Sequence, residues 1–512
     1  MRSPHELSRP FAIDPAYSGE SMLPAMNGNS LFEMPAPAGA AWIYAWGDLE
    51  GWILARMRME GMAVCHNVFH PGSFPRFHPL VQFQITIIPD ALPEDCSVTI
   101  WNSGNVHFSS GNLRILRVEG GDRPTRRTLD LRPVMREGGE FRLNVVVTRT
   151  DAPPALLIES DWLRTDATWR CGTSLSFKEL EAPVATFAHG PCTTFPHDEK
   201  LPVMTLNATG IKDGCHDFGV NLLARPVIEL SGETGTARIF PGESIEEARN
   251  RDEKFFEQTP QEIVSSAPGK YSTADGLAFR YLKIDGDAVV TKVTAEASMV
   301  PVQYRGAFAS SDELLTRIWM HSAYTLRLCM RELYIDGPKR DRLPWVGDVF
   351  VGALGNSVSF ADAGIVRRTL VALFPEDPRI HDCNGILDYS LYWILTLDRY
   401  LMFTGDLAFV RILWAQAKEL LATLETRAGK RGLLLSEKAE WVFIDWAKIE
   451  KQGTCAALQM LYILALDAAA EIGRELQDHD AASAFAKKSR QASPARPQDF
   501  LEHRPGPLRG CR

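Results

Sequence analysis

The spacing of apolar residues changes once along the chain, at about Ser311, and this change restricts the fold more than any other feature. Before Ser311, short runs in which apolar and polar residues alternate recur between turn signals, as in residues 81–88. After it, apolar residues recur every three or four positions, beginning with Leu314, Leu315 and Ile318. Alternation with a period of two is typical of half-buried strands, and the wider spacing is typical of amphipathic helices. The sequence therefore predicts a β-rich N-terminal part followed by a helical C-terminal part.

The β-rich part divides into two regions at Pro202. Strand-like runs between residues 41 and 201 predict one β-sandwich, and a second set of runs over residues 202–305 predicts another. Residues 1–40 are rich in Pro, Gly, Ser and Met and show no lasting period. We interpret them as an irregular lead-in.

The helical part has the pattern of helical hairpins joined in series over residues 306–488. Ser311 or Asp312 can cap the first helix, while Gly405 followed by Asp406 marks the end of one helix and the start of the next. Long loops alternate with short ones, as in a helical toroid whose long loops build a site at one end. The helices predicted after the first cover about residues 345–374 (interrupted near Gly352 and Gly355), 387–403, 406–426, 454–474 and 477–489.

Two segments do not follow the helical pattern. Residues 441–446 (Trp-Val-Phe-Ile-Asp-Trp) lack its spacing and are interpreted as an extended stretch. Residues 489–512 are rich in Arg, Pro and Gly and predict disorder, because they have no continuous apolar face to bury. Such a composition also arises when a GC-rich gene is translated out of frame, so an out-of-frame tail is a further hypothesis.

The composition is that of an ordinary globular protein, with 45% hydrophobic and 23% charged residues. The formal net charge of −9 gives no attraction to nucleic acid or to anionic membranes, so we expect neither as a partner. No run of about 18 apolar residues predicts a membrane span, and the first residues lack the apolar core of a signal peptide. Nine cysteines without a C-x-x-C pair indicate free thiols in a reducing compartment, and we therefore expect a cytoplasmic protein.

Two other groups of residues are weak candidates for binding sites. Cys65, His66 and His70 are not followed by a second Cys/His pair at ligand spacing, so no metal site is predicted. Nothing in the sequence indicates a cofactor. Three tryptophans in the first β region are either sugar-binding platforms or, as is more usual for tryptophan in a sandwich, core residues: Trp101, Trp162 and Trp169.

The chemistry of the helical part is concentrated in residues 336–348, Asp-Gly-Pro-Lys-Arg-Asp-Arg-Leu-Pro-Trp-Val-Gly-Asp. The two prolines disfavour helix in the residues before them, so the run predicts a rigid loop. Asp336, Asp341 and Asp348 cannot share one face of a strand or helix at this spacing, but in a loop that caps a helix they can converge on a pocket. An acid beside fixed cations and an aromatic ring is typical of a sugar-cleaving site. The alternative interpretation is a solvated helix cap.

This run resembles the Asp-Cys-Pro-x-Arg-Glu-Arg-x-Gly-Trp-x-Gly-Asp signature of bacterial α-L-rhamnosidases, glycoside hydrolase family 78. Residues 305–319 are similar to that family's entry into its (α/α)6 barrel, and residues 388–393 and 443–446 are similar to later barrel segments. The resemblance implies two β-sandwich domains followed by a partial (α/α)6 toroid. It also implies an inverting glycoside hydrolase that removes terminal α-L-rhamnose, or a similar sugar, from a carbohydrate substrate.

The resemblance implies a role for each matching residue. Asp341 falls on the proton donor of the family and is the implied catalytic residue. The residues that would hold or enclose the sugar are Asp336, Arg340, Trp345, Asp348, Trp441, Asp445 and Trp446.

The chain departs from the pattern of the family in two ways. The donor is usually Glu, and the side chain of Asp341 is one methylene shorter. The general base of the family is a Glu from a late barrel loop, and this sequence, with about three of the six hairpins, has no matching position. A catalytically inactive sugar-binding or truncated remnant protein is therefore the second hypothesis. We also expect an incomplete toroid to expose apolar stripes, which would favour a homo-oligomer or aggregation.

Overall fold

The computed structural model divides the chain into two compact units. Among the described residues, one unit contains residues 39–59 and those from 77 to 202, and the other contains those from 203 to 493. The residues that the structure describes are 39–59, 77–88, 93–110, 113–134, 140–176, 178–188, 194–231, 236–429, 432–437 and 440–493. Nearly all of the predicted lead-in, the Cys65, His66 and His70 group and the predicted tail from residue 494 onward lie outside these ranges.

The first unit is built from two antiparallel sheets that enclose one apolar core. Its strands are β1 Ala41–Tyr44, β2 Leu80–Ile87, β3 Ser97–Ser103, β4 Asn105–Ser110, β5 Leu113–Val118, β6 Arg127–Asp130, β7 Phe141–Thr148, β8 Ala155–Glu159, β9 Arg170–Gly172, β10 Ala182–Pro183 and β11 Ala185–Ala188. The five-stranded sheet has the order β11-β1-β8-β3-β6, and the six-stranded sheet has the order β10-β9-β2-β7-β4-β5. One helix, α1 (Asp48–Met59), follows β1 and was not predicted from the sequence.

The three tryptophans considered as sugar-binding platforms, Trp101, Trp162 and Trp169, pack in the interior of this unit. Trp169 is fully buried and Trp101 nearly so, while Trp162 packs against the same cluster of apolar residues. In β7, every second side chain is buried, as the alternation of apolar and polar residues predicted. The rings of Trp101 and Trp169 are therefore not available as sugar-binding platforms.

The second β region is one continuous antiparallel sheet of nine strands. Its elements are β12 Val203–Asn207, β13 Gly210–Lys212, β14 Cys215–Leu230, β15 Ala237–Gly242, helix α2 Ile245–Arg249, β16 Gln261–Glu262, β17 Val264–Ala267, β18 Lys270–Ser272, β19 Leu277–Gly286 and β20 Val290–Ser298. The long strand β14 organises this sheet, because it pairs with β13 and β20 along one edge and with β19 and β18 along the other.

Seven helices follow the nine-stranded sheet among the described residues. They are α3 Glu313–Cys329, α4 Val346–Ser359, α5 Ala363–Leu373, α6 Leu387–Thr404, α7 Leu407–Thr426, α8 Ala456–Glu475 and α9 His479–Ala492. The first of them packs on the sheet, since Tyr324 and Leu328 of α3 belong to the apolar cluster of the sheet. The large antiparallel sheets and the helical C-terminal part agree with the predicted fold class.

Aspartate caps begin most of these helices, as the sequence indicates. The side chains of Asp312, Asp406 and Asp478 accept hydrogen bonds from backbone N–H groups in the first turns of α3, α7 and α9. Gly405 adopts φ 67° and ends α6, so the chain reverses between α6 and α7 without strain.

The single helix predicted over residues 345–374 is wrong in detail, because the chain breaks it into α4 and α5. The break lies at residues 360–362, where Ala361 has φ 53° and Asp362 caps α5. Gly352 and Gly355, where the interruption was expected, lie inside α4. A Cβ atom at Gly355 would come within 3.1 Å of Leu326 in α3, so glycine permits the close packing of the two helices.

Helix α8 is long and apolar enough to cross a membrane when only its length and composition are considered. In this fold it packs between α6 and α9, and these contacts account for its apolar character. Several apolar side chains of the helical part remain exposed, among them Leu314 and Ile318 of α3 and Met460 and Leu464 of α8.

Candidate active site

The charged run of residues 336–348 forms the connection between α3 and α4. Its two ends are joined, because the Asp336 N–H donates to the Leu343 carbonyl (2.9 Å) and the Leu343 N–H donates to Asp336 Oδ1 (3.0 Å). Trp345 then takes the N-cap position of α4, and Asp348 lies in the first turn of that helix. The predicted rigid loop is therefore closed by its own hydrogen bonds.

The three carboxylates of this run act on one another electrostatically. Burial, reinforced by the charges of Asp341 and Asp348, raises the pKa of Asp336 to about 6. Asp348 is open to solvent, yet the protein atoms around its carboxylate and the charge of Asp341 also raise its pKa. The two raised pKa values thus belong to the residues that were predicted to bind sugar hydroxyls, and the three carboxylates lie close enough to interact electrostatically.

An aromatic group adjoins the carboxylates. Trp345 is only 8% exposed, and its indole Nε1–H donates to Asp341 Oδ2 at 3.2 Å. Its ring meets those of Tyr389 and Trp441 edge to face, with centroid distances of 6.2 and 6.3 Å. Gly347 lies against Tyr389, because a Cβ atom there would come within 3.1 Å of the phenol ring. The carboxylate of Asp341 is thus held beside a wall of three aromatic rings, those of Trp345, Tyr389 and Trp441.

A loop of residues 441–446 supplies part of this wall. Because the backbone turns at Ile444, the loop is not the extended stretch that the sequence predicted. Asp388, which is fully buried at the start of α6, accepts hydrogen bonds from the N–H groups of Phe443 (2.8 Å) and Ile444 (3.0 Å). Ile444 has φ 49°, a conformation that is costly for a β-branched residue. The buried carboxylate therefore fixes a strained turn that carries Trp441, which is 45% exposed.

The predicted site residues fall into two groups. The structure brings Asp336, Asp341, Trp345, Asp348 and Trp441 together. Three others lie further out, where their side chains are exposed: Arg340, Asp445 and Trp446. Trp446 is 83% exposed and packs edge to face on Phe443 at 5.2 Å.

Two residues at the start of α6 were not assigned a role from the sequence. Tyr389 joins Trp345 to Phe443, with which it makes an edge contact at 5.9 Å, and burial together with the charge of Asp348 raises its pKa. Asp388 anchors the loop of residues 441–446. Their segment carried a family likeness, but no spacing rule connects it with a loop more than fifty residues away. Among the described residues, no three His, Cys, Asp or Glu side chains are placed to hold a metal ion.

Acids and aromatic rings gathered in a helix-capping loop are typical of the sites of carbohydrate-cleaving enzymes. Residues 303–510 match the family model of the bacterial α-L-rhamnosidase six-hairpin glycosidase domain. The helical region therefore matches the domain model of the α-L-rhamnosidase family, as the resemblance predicted. No curated protein matches the chain.

Solved structures of rhamnosidases resemble the chain over much of its length. A rhamnosidase from Klebsiella oxytoca with rhamnose bound is 26% identical over 55% of this chain and 62% of that one, with a TM-score of 0.48. The family 78 rhamnosidase of Bacillus sp. GL1 is 19% identical over 90% and 55%, with a TM-score of 0.48. The Streptomyces avermitilis α-L-rhamnosidase complexed with L-rhamnose is 16% identical over 84% and 49%, with a TM-score of 0.46. The chain spans about half to three fifths of the length of these proteins.

Proposed function

We propose that the chain acts as a glycoside hydrolase of α-L-rhamnosidase type, removing terminal α-L-rhamnose or a similar sugar from a glycoside. The observation that carries this proposal is the convergence of Asp336, Asp341 and Asp348 beside the buried ring of Trp345. A pyranose presents several hydroxyl groups and an apolar face, and this arrangement offers acceptors for the hydroxyls and a ring for the face.

Asp341 has the role of general acid in this proposal. Its side chain is only partly buried, so it can reach a bound glycoside, and the indole of Trp345 fixes its orientation at Oδ2. It would protonate the departing glycosidic oxygen while the bond to the anomeric carbon breaks. Asp336, with a pKa of about 6, and Asp348 would hold the sugar hydroxyls. The wall of Trp345, Tyr389 and Trp441 would exclude water from the cationic transition state.

Inversion of configuration is the stereochemical course that we propose. An inverting enzyme needs a second carboxylate about 6.5–9.5 Å from the acid, so that a water molecule fits between the base and the anomeric carbon. None of the residues named above is assigned the role of this base. Proton NMR during the first turnovers of an α-L-rhamnoside measures the anomeric configuration of the released sugar. Initial release of β-L-rhamnose supports inversion, and initial release of α-L-rhamnose contradicts it.

The second candidate function is sugar binding without turnover. Asp341 is one methylene shorter than the usual donor, and the Trp345 indole already engages one of its oxygens, so the carboxyl reaches less far towards a glycosidic oxygen. In that case L-rhamnose would bind in calorimetry, whereas an aryl α-L-rhamnoside would release no phenol.

The experiment that separates the two candidates is hydrolysis of an aryl α-L-rhamnoside by the wild-type chain and by Asp341→Asn. We expect turnover in the wild type and its loss in the variant. Asp377→Asn is the matched control, because Asp377 is a partly exposed residue paired with Arg379 in the loop after α5. Absence of turnover together with rhamnose binding would overturn the hydrolase and support the binding protein.

We further propose that the chain works in the cytoplasm and that it self-associates. The six described cysteines are buried and free, which suits a reducing compartment. The exposed apolar residues of α3 and α8 suit a contact between copies. Fractionation of cells and light scattering of the purified chain test these two proposals.

A further inference from the structure

The loop of residues 336–345, called the acid loop below, is attached to the nine-stranded sheet by the residues on both sides of Asp341. These ties reach the connection between β15 and β16, residues 243–260, and the start of β19. They involve Lys339 and Arg342, neither of which faces the carboxylate cluster as a sugar-binding cation would. Arg342 instead makes its hydrogen bonds to Pro338, Gly276 and Gln258.

The guanidinium of Arg342 is almost fully buried and donates three hydrogen bonds. It donates through Nε to the Pro338 carbonyl (2.7 Å), through Nη1 to the Gly276 carbonyl (2.7 Å) and through Nη2 to Gln258 Oε1 (2.8 Å). The first bond closes the acid loop on itself, and the other two join it to the sheet. The backbone of Arg342 has φ 53°, an uncommon conformation outside glycine that these contacts stabilise.

Gln258 is itself held in one orientation. Its Nε2 donates to the Ala278 carbonyl (2.7 Å), and its Oε1 accepts from the Ala278 N–H (2.8 Å) as well as from Arg342. A side-chain amide that pairs with both backbone groups of a strand residue behaves as part of that strand. The arginine therefore binds a fixed acceptor rather than a mobile one.

Lys339 makes the second tie. Its ammonium lies 2.7 Å from Glu247, 3.0 Å from Glu257 and 3.3 Å from Glu243, and its side chain is largely covered. Burial alone would lower the pKa of Lys339, but the hydrogen bonds to Glu247 and Glu257 raise it above its ordinary value. The lysine and the arginine thus fix the loop two residues before Asp341 and one residue after it.

We infer that residues 243–258 of the β region are a positioning element for the general acid, and that Gln258 is its principal positioning residue. Through Arg342, Gln258 sets the place of Asp341 relative to Trp345 and hence to the glycosidic oxygen. The expected effect on catalysis rests on the proposed function. The expected effect on the position of Asp341 can be measured without any turnover.

The test compares Gln258→Ala with Gln258→Glu and Gln261→Ala. The alanine variant removes the acceptor of Arg342, and the glutamate variant keeps an acceptor for the guanidinium. Gln261 begins β16, directly after this connection; its Oε1 accepts from the Asp275 N–H, and it makes no contact with the acid loop among the described residues. It controls for general disturbance of the segment.

The informative readout is the dependence of kcat/KM on the leaving group. A displaced acid slows the cleavage of methyl α-L-rhamnoside, whose leaving group needs a proton, but hardly affects a dinitrophenyl α-L-rhamnoside, whose leaving group does not. We expect Gln258→Ala to lower kcat/KM for the methyl glycoside by about 10- to 100-fold, as for a weakened charge-assisted hydrogen bond. We expect Gln258→Glu to recover most of this loss. An equal loss on both substrates would overturn the inference, because it would indicate a merely structural role.

A crystal structure of Gln258→Ala keeps the inference testable even if the wild-type chain hydrolyses nothing, an outcome that would refute the proposed function alone. The expected result is that the 3.2 Å separation between Asp341 Oδ2 and Trp345 Nε1 lengthens beyond hydrogen-bonding distance in Gln258→Ala and is retained in Gln261→Ala. An unchanged separation in Gln258→Ala would refute the positioning role.

Discussion

The substitution Asp336→Asn is expected to stabilise the protein at neutral pH while it impairs sugar binding. Burial raises the pKa of Asp336 from 3.8 to about 6, so the folded state resists the loss of its proton. Each tenfold change in proton affinity is worth about 1.4 kcal/mol. Well above pH 6, ionisation of Asp336 therefore lowers the free energy of unfolding by about 3 kcal/mol.

The sign of this effect sets the pH window. Because the folded pKa is raised, the stability associated with the neutral carboxyl is fully present below about pH 4 and is lost as the pH rises to about 6. Asparagine is neutral at every pH and still offers an oxygen to the Leu343 N–H. The variant should therefore differ little from wild type at pH 4 and gain most of the ~3 kcal/mol at pH 7.5.

Urea denaturation at these two pH values measures the gain. Asp377→Asn is the control of opposite sign: the hydrogen bonds from Arg379 hold the pKa of Asp377 below its usual value, so loss of its charge should destabilise the protein to a similar extent at both pH values. If Asp336→Asn shows the same effect at both pH values, the electrostatic account of the carboxylate cluster is wrong.

Three further changes test the site. Asp341→Asn should lower kcat on aryl α-L-rhamnosides by about 10²- to 10⁴-fold with an unchanged melting temperature, as expected for the loss of a general acid. Trp345→Phe keeps the ring but removes the indole donor to Asp341, and we expect a smaller loss of kcat, about tenfold, with little change in KM, measured by steady-state kinetics. Asp388→Ala leaves two backbone N–H groups of the Trp441 loop without their acceptor, and it should destabilise the protein by about 2–4 kcal/mol in urea denaturation and expose the loop to limited proteolysis.

Local rules predicted much of the helical part. Asp312 and Asp406 cap helices where the sequence places them, and Gly405 ends α6, because a cap or an αL turn depends only on residues within one helical turn. The break at Ala361 was not predicted, since a non-glycine residue with positive φ carries no sequence signal. It is stabilised by the side-chain amide of Asn356, which donates to the Asp362 carbonyl.

The candidate site could be predicted only where one run of sequence contains it. Asp336, Asp341, Trp345 and Asp348 share a short loop, so motif and chemistry identify them together. The contacts that orient the loop join residues far apart in sequence, as when Arg342 binds Gln258. No periodicity or spacing encodes such a contact, because it arises from the packing of α3 and its following loop against a sheet formed much earlier in the chain.

The attachment of the acid loop to the sheet has a consequence for dissecting this protein. A fragment starting near residue 306 would contain every predicted catalytic and sugar-binding side chain, yet it would leave the Arg342 guanidinium without Gly276 and Gln258 and would uncover the apolar residues Tyr324 and Leu328. The smallest autonomous catalytic piece should therefore begin at about residue 203. Exchange of the helical part between related enzymes should give a folded protein only when the preceding nine-stranded sheet is exchanged with it.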